Sequence, residues 1–150
     1  MALRTEPETW TIRVATDGDG PAIGRLFAAA QYPDYGVDWS ALGIGKWWIV
    51  AERDGQVVGA TQVILSKPFA YLGEIVIARD ERSETAGEFG ELAQRLFATA
   101  FAMVRASGAD IVRGWVHSSR GGMGSLLERY GGHATPGTFL LYWKQLAWRD

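Results

Sequence analysis

One stretch constrains this chain more than any other: two strand-like runs with a helical pattern between them. The first run, Tyr71-Leu72-Gly73-Glu74-Ile75-Val76-Ile77, is apolar and rich in β-branched residues, as a strand requires. A charged turn from Arg79 to Gly87 follows. Then Phe89, Leu92, Ala93, Leu96, Ala100, Met103 and Val104 recur at steps of three and four, the spacing of one helix face. Asp110-Ile111-Val112-Arg113-Gly114-Trp115-Val116 is the second run. In a strand–turn–helix–strand unit the helix's first-turn N–H groups lack partners and point past the strand end, where the dipole favours an anion. An anion pocket and an ordinary αβ connection share this pattern, and the pattern alone leaves both open.

The flanking sequence supplies further elements. Thr11 to Ala15 alternates as a short strand. Asp19 is placed to cap a helix from Gly20-Pro21, whose apolar stripe is Ile23, Leu26, Phe27 and Ala30. Gln31 to Gly45 is loop-like; its Tyr32, Tyr35 and Trp39 either wall a cleft or pin the loop down. Trp47 to Ala51 and Gln56 to Leu65 read as strands joined by Asp54-Gly55, a strong two-residue hairpin signal. Lys67-Pro68 breaks the pattern before the Tyr71 strand. After Val116, the segment His117 to Gly122 is polar and Gly-rich. Leu126, Leu127 and Tyr130 mark a short helix stopped by Gly131-Gly132, and Thr138 to Trp143 is a last strand.

Composition narrows the function classes. A chain of 150 residues suits a single domain, residues 1–150. Its net charge of −2 offers no basic field for nucleic acid. No apolar run reaches the roughly 20 residues that span a bilayer, and the N-terminus lacks a signal-type apolar stretch, so no membrane partner is expected. With zero Cys there is no disulfide framework, thiol nucleophile or Cys-based zinc site, and no metal ligand set is assigned. A cytoplasmic location is the expectation. Seven Trp is an unusual count, read either as core filling or as an aromatic contact surface near the C-terminus.

The order strand, helix, two hairpin strands, strand, long helix, strand, short helix, strand resembles the GNAT superfamily of acyl-CoA-dependent N-acetyltransferases over nearly the whole chain. Ile12-Arg13-Val14-Ala15-Thr16 with Asp19 and Ile23 resembles the family's opening strand and helix. Ala51-Glu52-Arg53-Asp54-Gly55-Gln56-Val57-Val58-Gly59 resembles its central hairpin. Glu74-Ile75-Val76-Ile77 resembles its fourth strand, and Leu127-Glu128-Arg129-Tyr130-Gly131 its last helix. The resemblance implies an α/β (α+β) fold: a mixed, mostly antiparallel sheet of about six to seven strands with about four helices. It also implies acetyl-CoA as cofactor and a small-molecule amine or a peptide as acceptor.

In that family the pantetheine arm pairs with the splayed fourth strand, which here assigns Ile75 and Ile77 to the cofactor. The pyrophosphate turn, Arg-x-x-Gly-x-Gly or Ala, maps onto Arg82-Ser83-Glu84-Thr85-Ala86-Gly87, so Arg82, Thr85 and Gly87 are the corresponding residues. Glycines there let backbone N–H groups approach phosphate oxygens closely. This chain departs from the motif with Thr85 in place of the first Gly, Arg79 where Pro is usual, and two nearby acids, Glu81 and Glu84. Glu74 stands where many members keep a carboxylate base. Strand alternation would set it beside Leu72 and Val76, an apolar setting that raises a carboxyl pKa. The alternative is a solvated or ion-paired strand Glu. His117 is a second candidate base or a plain loop His. The family's tyrosine acid falls on Leu127, which has no proton to give, and Gly132 replaces the usual Phe.

These departures, with the long helix and the Trp-Val-His strand end, are also similar to small GNAT-fold proteins of short-tailed phages. That second resemblance implies a catalytically silent structural protein of a virion, with the Trp-rich strand Phe139 to Trp143 as an assembly edge. It implies a homo-oligomer or a larger assembly.

Overall fold

The computed structural model describes residues 10–30, 45–81, 90–117, 133–135 and 139–145. The elements in chain order are β1 (Thr11–Val14), α1 (Gly20–Ala29), β2 (Lys46–Arg53), β3 (Gln56–Ser66), β4 (Phe69–Ile77), α2 (Glu91–Ser107), β5 (Ile111–His117), β6 (His133–Thr135) and β7 (Phe139–Gln145). Short 3₁₀ turns at Asp17–Asp19 and Arg79–Glu81 precede the two helices. The strands form one sheet of seven in the order β1-β2-β3-β4-β5-β7-β6. Every neighbouring pair is antiparallel except β4 and β5, which run parallel. The mixed sheet and its strand number are those the sequence implied. The short helix expected around Leu126 to Tyr130 and the loop holding Tyr32, Tyr35 and Trp39 lie outside the described residues.

Local chemistry explains the connections. Asp54 (φ 51°) and Gly55 (φ 77°) both take positive φ, the geometry that matches a two-residue turn to the twist of its strands. Lys67-Pro68 joins β3 to β4 so tightly that the strands pair up to Ser66 opposite Phe69. The Pro68 carbonyl then accepts from the Asp110 and Ile111 N–H groups at 2.9 and 3.2 Å, which sets the start of β5 beside β4. Helix α2 stops where Gly108 adopts the left-handed conformation (φ 76°) and donates to the Arg105 carbonyl.

A helix covers each face of the sheet. Under α2 lie Ile49, Ala51, Val63, Ala70 and Leu72 from the strands, against Leu92, Leu96, Phe97, Ala100 and Val104 from the helix. Under α1 lie Trp48, Val50, Ala60 and Val76, against Ile23 and Leu26 from the helix. Phe97, absent from the predicted stripe, is buried beside Leu96 and stacks on Phe101 with centroids 6.0 Å apart. Helix α2 approaches β3 closely because Gly59 has no side chain. A Cβ there would come within 3.0 Å of a Leu96 methyl and 3.1 Å of an Ile77 methyl.

Two expectations are corrected. Asp19 stands at the cap position of α1 but makes no side-chain bond to that helix. Its carboxylate turns back and accepts from Arg13 Nη1 at 2.7 Å and Nη2 at 2.9 Å, and from the Thr16 N–H at 2.8 Å. A bidentate guanidinium is a stronger partner than a neutral helix N–H, and it wins the carboxylate. Hydrogen bonding from Arg13 holds the Asp19 pKa down at about 2 against burial, which acts the other way. The second correction concerns the supposed assembly edge. Strand β7 lies between β5 and β6, with Gly114 opposite Tyr142 on one side and Ala134 opposite it on the other. The edge strands are β1 and β6.

Candidate active site

The parallel pair β4–β5 is short. Phe69, Ala70, Tyr71 and Leu72 pair with Ile111, Val112, Arg113 and Gly114, and the ladder ends there. Beyond it β4 runs on to Ile77 and β5 to His117, so the sheet forks. Among the described residues no strand pairs with the fork-facing edge of Gly73 to Val76. That edge carries backbone N–H and C=O groups which an extended polar chain could satisfy.

The fork begins at a bulge. Thr61 pairs with Ile75 and Val63 with Leu72, so Gly73 and Glu74 together face the single residue Gln62. Gly73 suits this place: a Cβ would meet the Gln62 Cβ at 3.1 Å and its carbonyl at 3.5 Å. Beneath the bulge the buried Thr61 hydroxyl lies 3.5 Å from the Gly73 carbonyl oxygen, which it faces as donor.

The extra residue changes the parity of β4. Leu72 belongs to the core under α2, whereas Val76 belongs to the core under α1. The two side chains that were to flank Glu74 therefore lie on opposite faces, and the simple alternation that placed Glu74 between them does not hold. By position, Glu74 stands two residues past the last β4–β5 pair, and His117 three residues past it on the other arm. Topology thus brings these two candidates to the two sides of one fork. Ile75 and Ile77 pack partly buried against the α2 core, so their side chains serve the interior, and the Ile75 backbone serves the fork.

At the far end of β4 stands the start of α2. Its N-cap is Gly90, which has no side chain to cap the first turn, and among the described residues no side-chain cap bond is present. Leu92 of that first turn and Ile77 of β4 both lie against the position a Gly59 Cβ would take, which puts the helix start over the strand end. The pattern in the sequence started the helix near Phe89; the helix instead begins at Glu91. Arg82, Thr85 and Gly87, the residues matched to the pyrophosphate turn, lie outside the described residues, as do Leu127 and Phe89.

The acid Glu81 is bound to its surroundings. Its Oε2 accepts from Arg53 Nη2 at 2.7 Å and from Trp10 Nε1 at 3.2 Å, and the ion pair leaves Arg53 and Glu81 side chains only 20% and 12% exposed. The negative charge expected to oppose a phosphate is thereby matched by a guanidinium from the β2 end. Arg79, in the same turn, is exposed. No spacing rule joins residues 10, 53 and 81, so sequence reasoning had no signal for this cluster. Gly73 did carry one, because a glycine inside a strand commonly marks a bulge. Among the described residues no group of three or more His, Asp or Glu could hold a metal, and no helix is long and apolar enough to cross a membrane.

The sequence matches no protein-family model and no curated protein. The structure does have close counterparts. A ribosomal-protein-alanine N-acetyltransferase from Brucella melitensis superposes with a TM-score of 0.73 at 19% identity, over 91% of this chain and 99% of its own. The PaiA N-acetyltransferase from Thermoplasma acidophilum, solved in complex with coenzyme A, gives 0.70 at 13% identity over 92% and 99%. A GNAT-family acetyltransferase from Streptococcus pneumoniae gives 0.69 at 14% identity over 93% and 100%. This chain has the GNAT fold.

Proposed function

We propose that the chain is an acyl-CoA-dependent N-acetyltransferase that moves an acetyl group from acetyl-CoA to a primary amine of a small molecule or peptide. The observation that carries this reading is the fork: β4 parts from β5 at a bulge, and among the described residues no strand pairs with the fork-facing edge of Gly73 to Val76. An edge of that length fits the amide-containing pantetheine arm, and the start of α2, whose N-cap Gly90 has no side chain, fits an anionic pyrophosphate. Acetyl-CoA supplies an activated thioester carbonyl. The backbone of Gly73 to Val76 would hold the arm in line, with the N–H groups of the α2 first turn and the cations Arg79 and Arg82 on the phosphates.

The acceptor must arrive at the fork as a free amine. In this reading Glu74, through a water, removes the proton from the ammonium group, with His117 as the second base on the opposite arm. The amine nitrogen then forms a bond to the acetyl carbon while the carbon–sulfur bond breaks. The departing thiolate takes its proton from solvent, because Leu127 stands where a tyrosine would supply one. Solvent protonation is adequate for a thiolate, and loss of one general acid costs about a hundred- to ten-thousand-fold, not the whole reaction.

The absence of Cys gives a clean assay, since any thiol that appears is coenzyme A. The expected result is a melting temperature that climbs with acetyl-CoA concentration, together with amine-dependent thiol release. A flat melting temperature at millimolar acetyl-CoA would eliminate the enzyme and favour the catalytically silent assembly protein. For that second reading the strand assigned to assembly is paired with β6 through Leu141, Tyr142 and Trp143, so the contact surface would have to lie elsewhere or beside those three pairs.

A further inference from the structure

The Trp10 indole joins segments that are remote in sequence. Its Nε1 donates to Glu81 at 3.2 Å, at the close of the 3₁₀ turn that follows β4. The Arg53 guanidinium, itself 2.7 Å from Glu81, sits 5.1 Å above the ring. The Arg95 guanidinium, from the second turn of α2, sits 5.6 Å from the same ring. One side chain just before β1 therefore holds both the last residue before the β4–α2 connection and the helix that follows it. A cation over an indole face is attracted by the ring quadrupole, and partial burial strengthens both that attraction and the ion pair.

We infer that Trp10, Arg53, Glu81 and Arg95 form a positioning clamp that fixes the end of β4 relative to the start of α2, and so sets the spacing on which diphosphate binding depends. The inference rests on the proposed function. None of the four touches the acetyl group or the acceptor amine; they act through the backbone they hold. The clamp also accounts for the acid so close to an anion site. Glu81 is turned toward Arg53 and Trp10, and its charge is used in fixing the frame rather than opposing the ligand.

The cofactor itself divides into two parts that separate this role from general stability. S-acetylpantetheine has the thioester and the arm but no diphosphate, whereas acetyl-CoA has all three. Trp10→Phe keeps a ring for the guanidinium groups and removes the N–H; Glu81→Gln keeps an acceptor for Trp10 and removes the negative charge that faces Arg53. Each should raise KM for acetyl-CoA about tenfold with kcat little changed, while KM for S-acetylpantetheine stays at the wild-type value. Glu81→Asp, which retains the charge, should recover part of the loss. Equal increases for both donors, or no increase for either, would overturn the clamp as a positioning device. Wild-type protein that bound no acetyl-CoA would overturn the proposed function and this inference together. Wild-type binding with unaltered variants would overturn the inference alone.

Discussion

Replacing Asp19 by Asn tests the electrostatic reading of the β1–α1 corner. In the folded chain Asp19 is 8% exposed and accepts two hydrogen bonds from Arg13 and one from the Thr16 N–H. These hold its pKa at about 2, against 3.8 for the ordinary group. The folded state thus binds the proton less tightly than the unfolded chain, and this contribution is complete above the unfolded pKa. It is lost as pH falls through the folded one. At about 1.4 kcal/mol for each pKa unit, the difference is worth about 2.4 kcal/mol at pH 7. The Arg13 side chain keeps 34% exposure, so solvent screening trims the expected value to about 2 kcal/mol. Near pH 3 about half remains, because Asp19 is then mostly protonated in the unfolded chain and mostly ionised in the folded one. Urea unfolding of wild type and Asp19→Asn at pH 7, 5, 4 and 3 measures the gap directly. It should be widest at pH 7, nearly constant to pH 5, and close by about 1 kcal/mol at pH 3. A gap that did not change with pH would refute the pairing as its source, and so would a variant as stable as wild type at pH 7.

The remaining predictions concern the core and the fork. Leu96 is fully buried under α2, and Leu96→Ala should cost about 3 kcal/mol of unfolding free energy in urea, a transfer loss plus a cavity. Gly59→Val should cost about 1–3 kcal/mol by the same measurement, since even its Cβ would press on Leu96 and Ile77. Glu74→Gln should lower kcat by about a hundredfold while the thermal response to acetyl-CoA stays that of wild type, and a variant of full activity would remove Glu74 from the mechanism.

Much of the fold could be read from residue order. The Asp54-Gly55 hairpin, the α2 stripe and the β-branched runs each announced their element, because period and turn chemistry are local properties. What escaped depended on distant residues. The Gly73-Glu74 bulge is defined by its opposition to Gln62, and it cancelled the simple alternation from which the setting of Glu74 was inferred. Asp19 was read as a cap because local rules favour it, but Arg13 across the corner takes its carboxylate. The place of β7 inside the sheet follows from β6, a three-residue strand too short to show a period. The candidate site was legible as far as its strands and helix. The tie between Trp10 and Glu81 spans 71 positions, and no local pattern encodes it.

The parallel ladder also divides the molecule mechanically. Four residue pairs, reinforced by two N–H groups on the Pro68 carbonyl, are the seam between a plate made of β1 to β4 and a plate made of β5, β7 and β6. The strands flanking that seam are zipped to their inner neighbours over longer antiparallel stretches, seven pairs between β5 and β7 and seven between β3 and β4. The two plates flex against each other at that joint, because local opening follows the fewest buried hydrogen bonds. A molecule lying along the gap would rivet the plates together, so that occupancy and stiffness become one property of the same few residues.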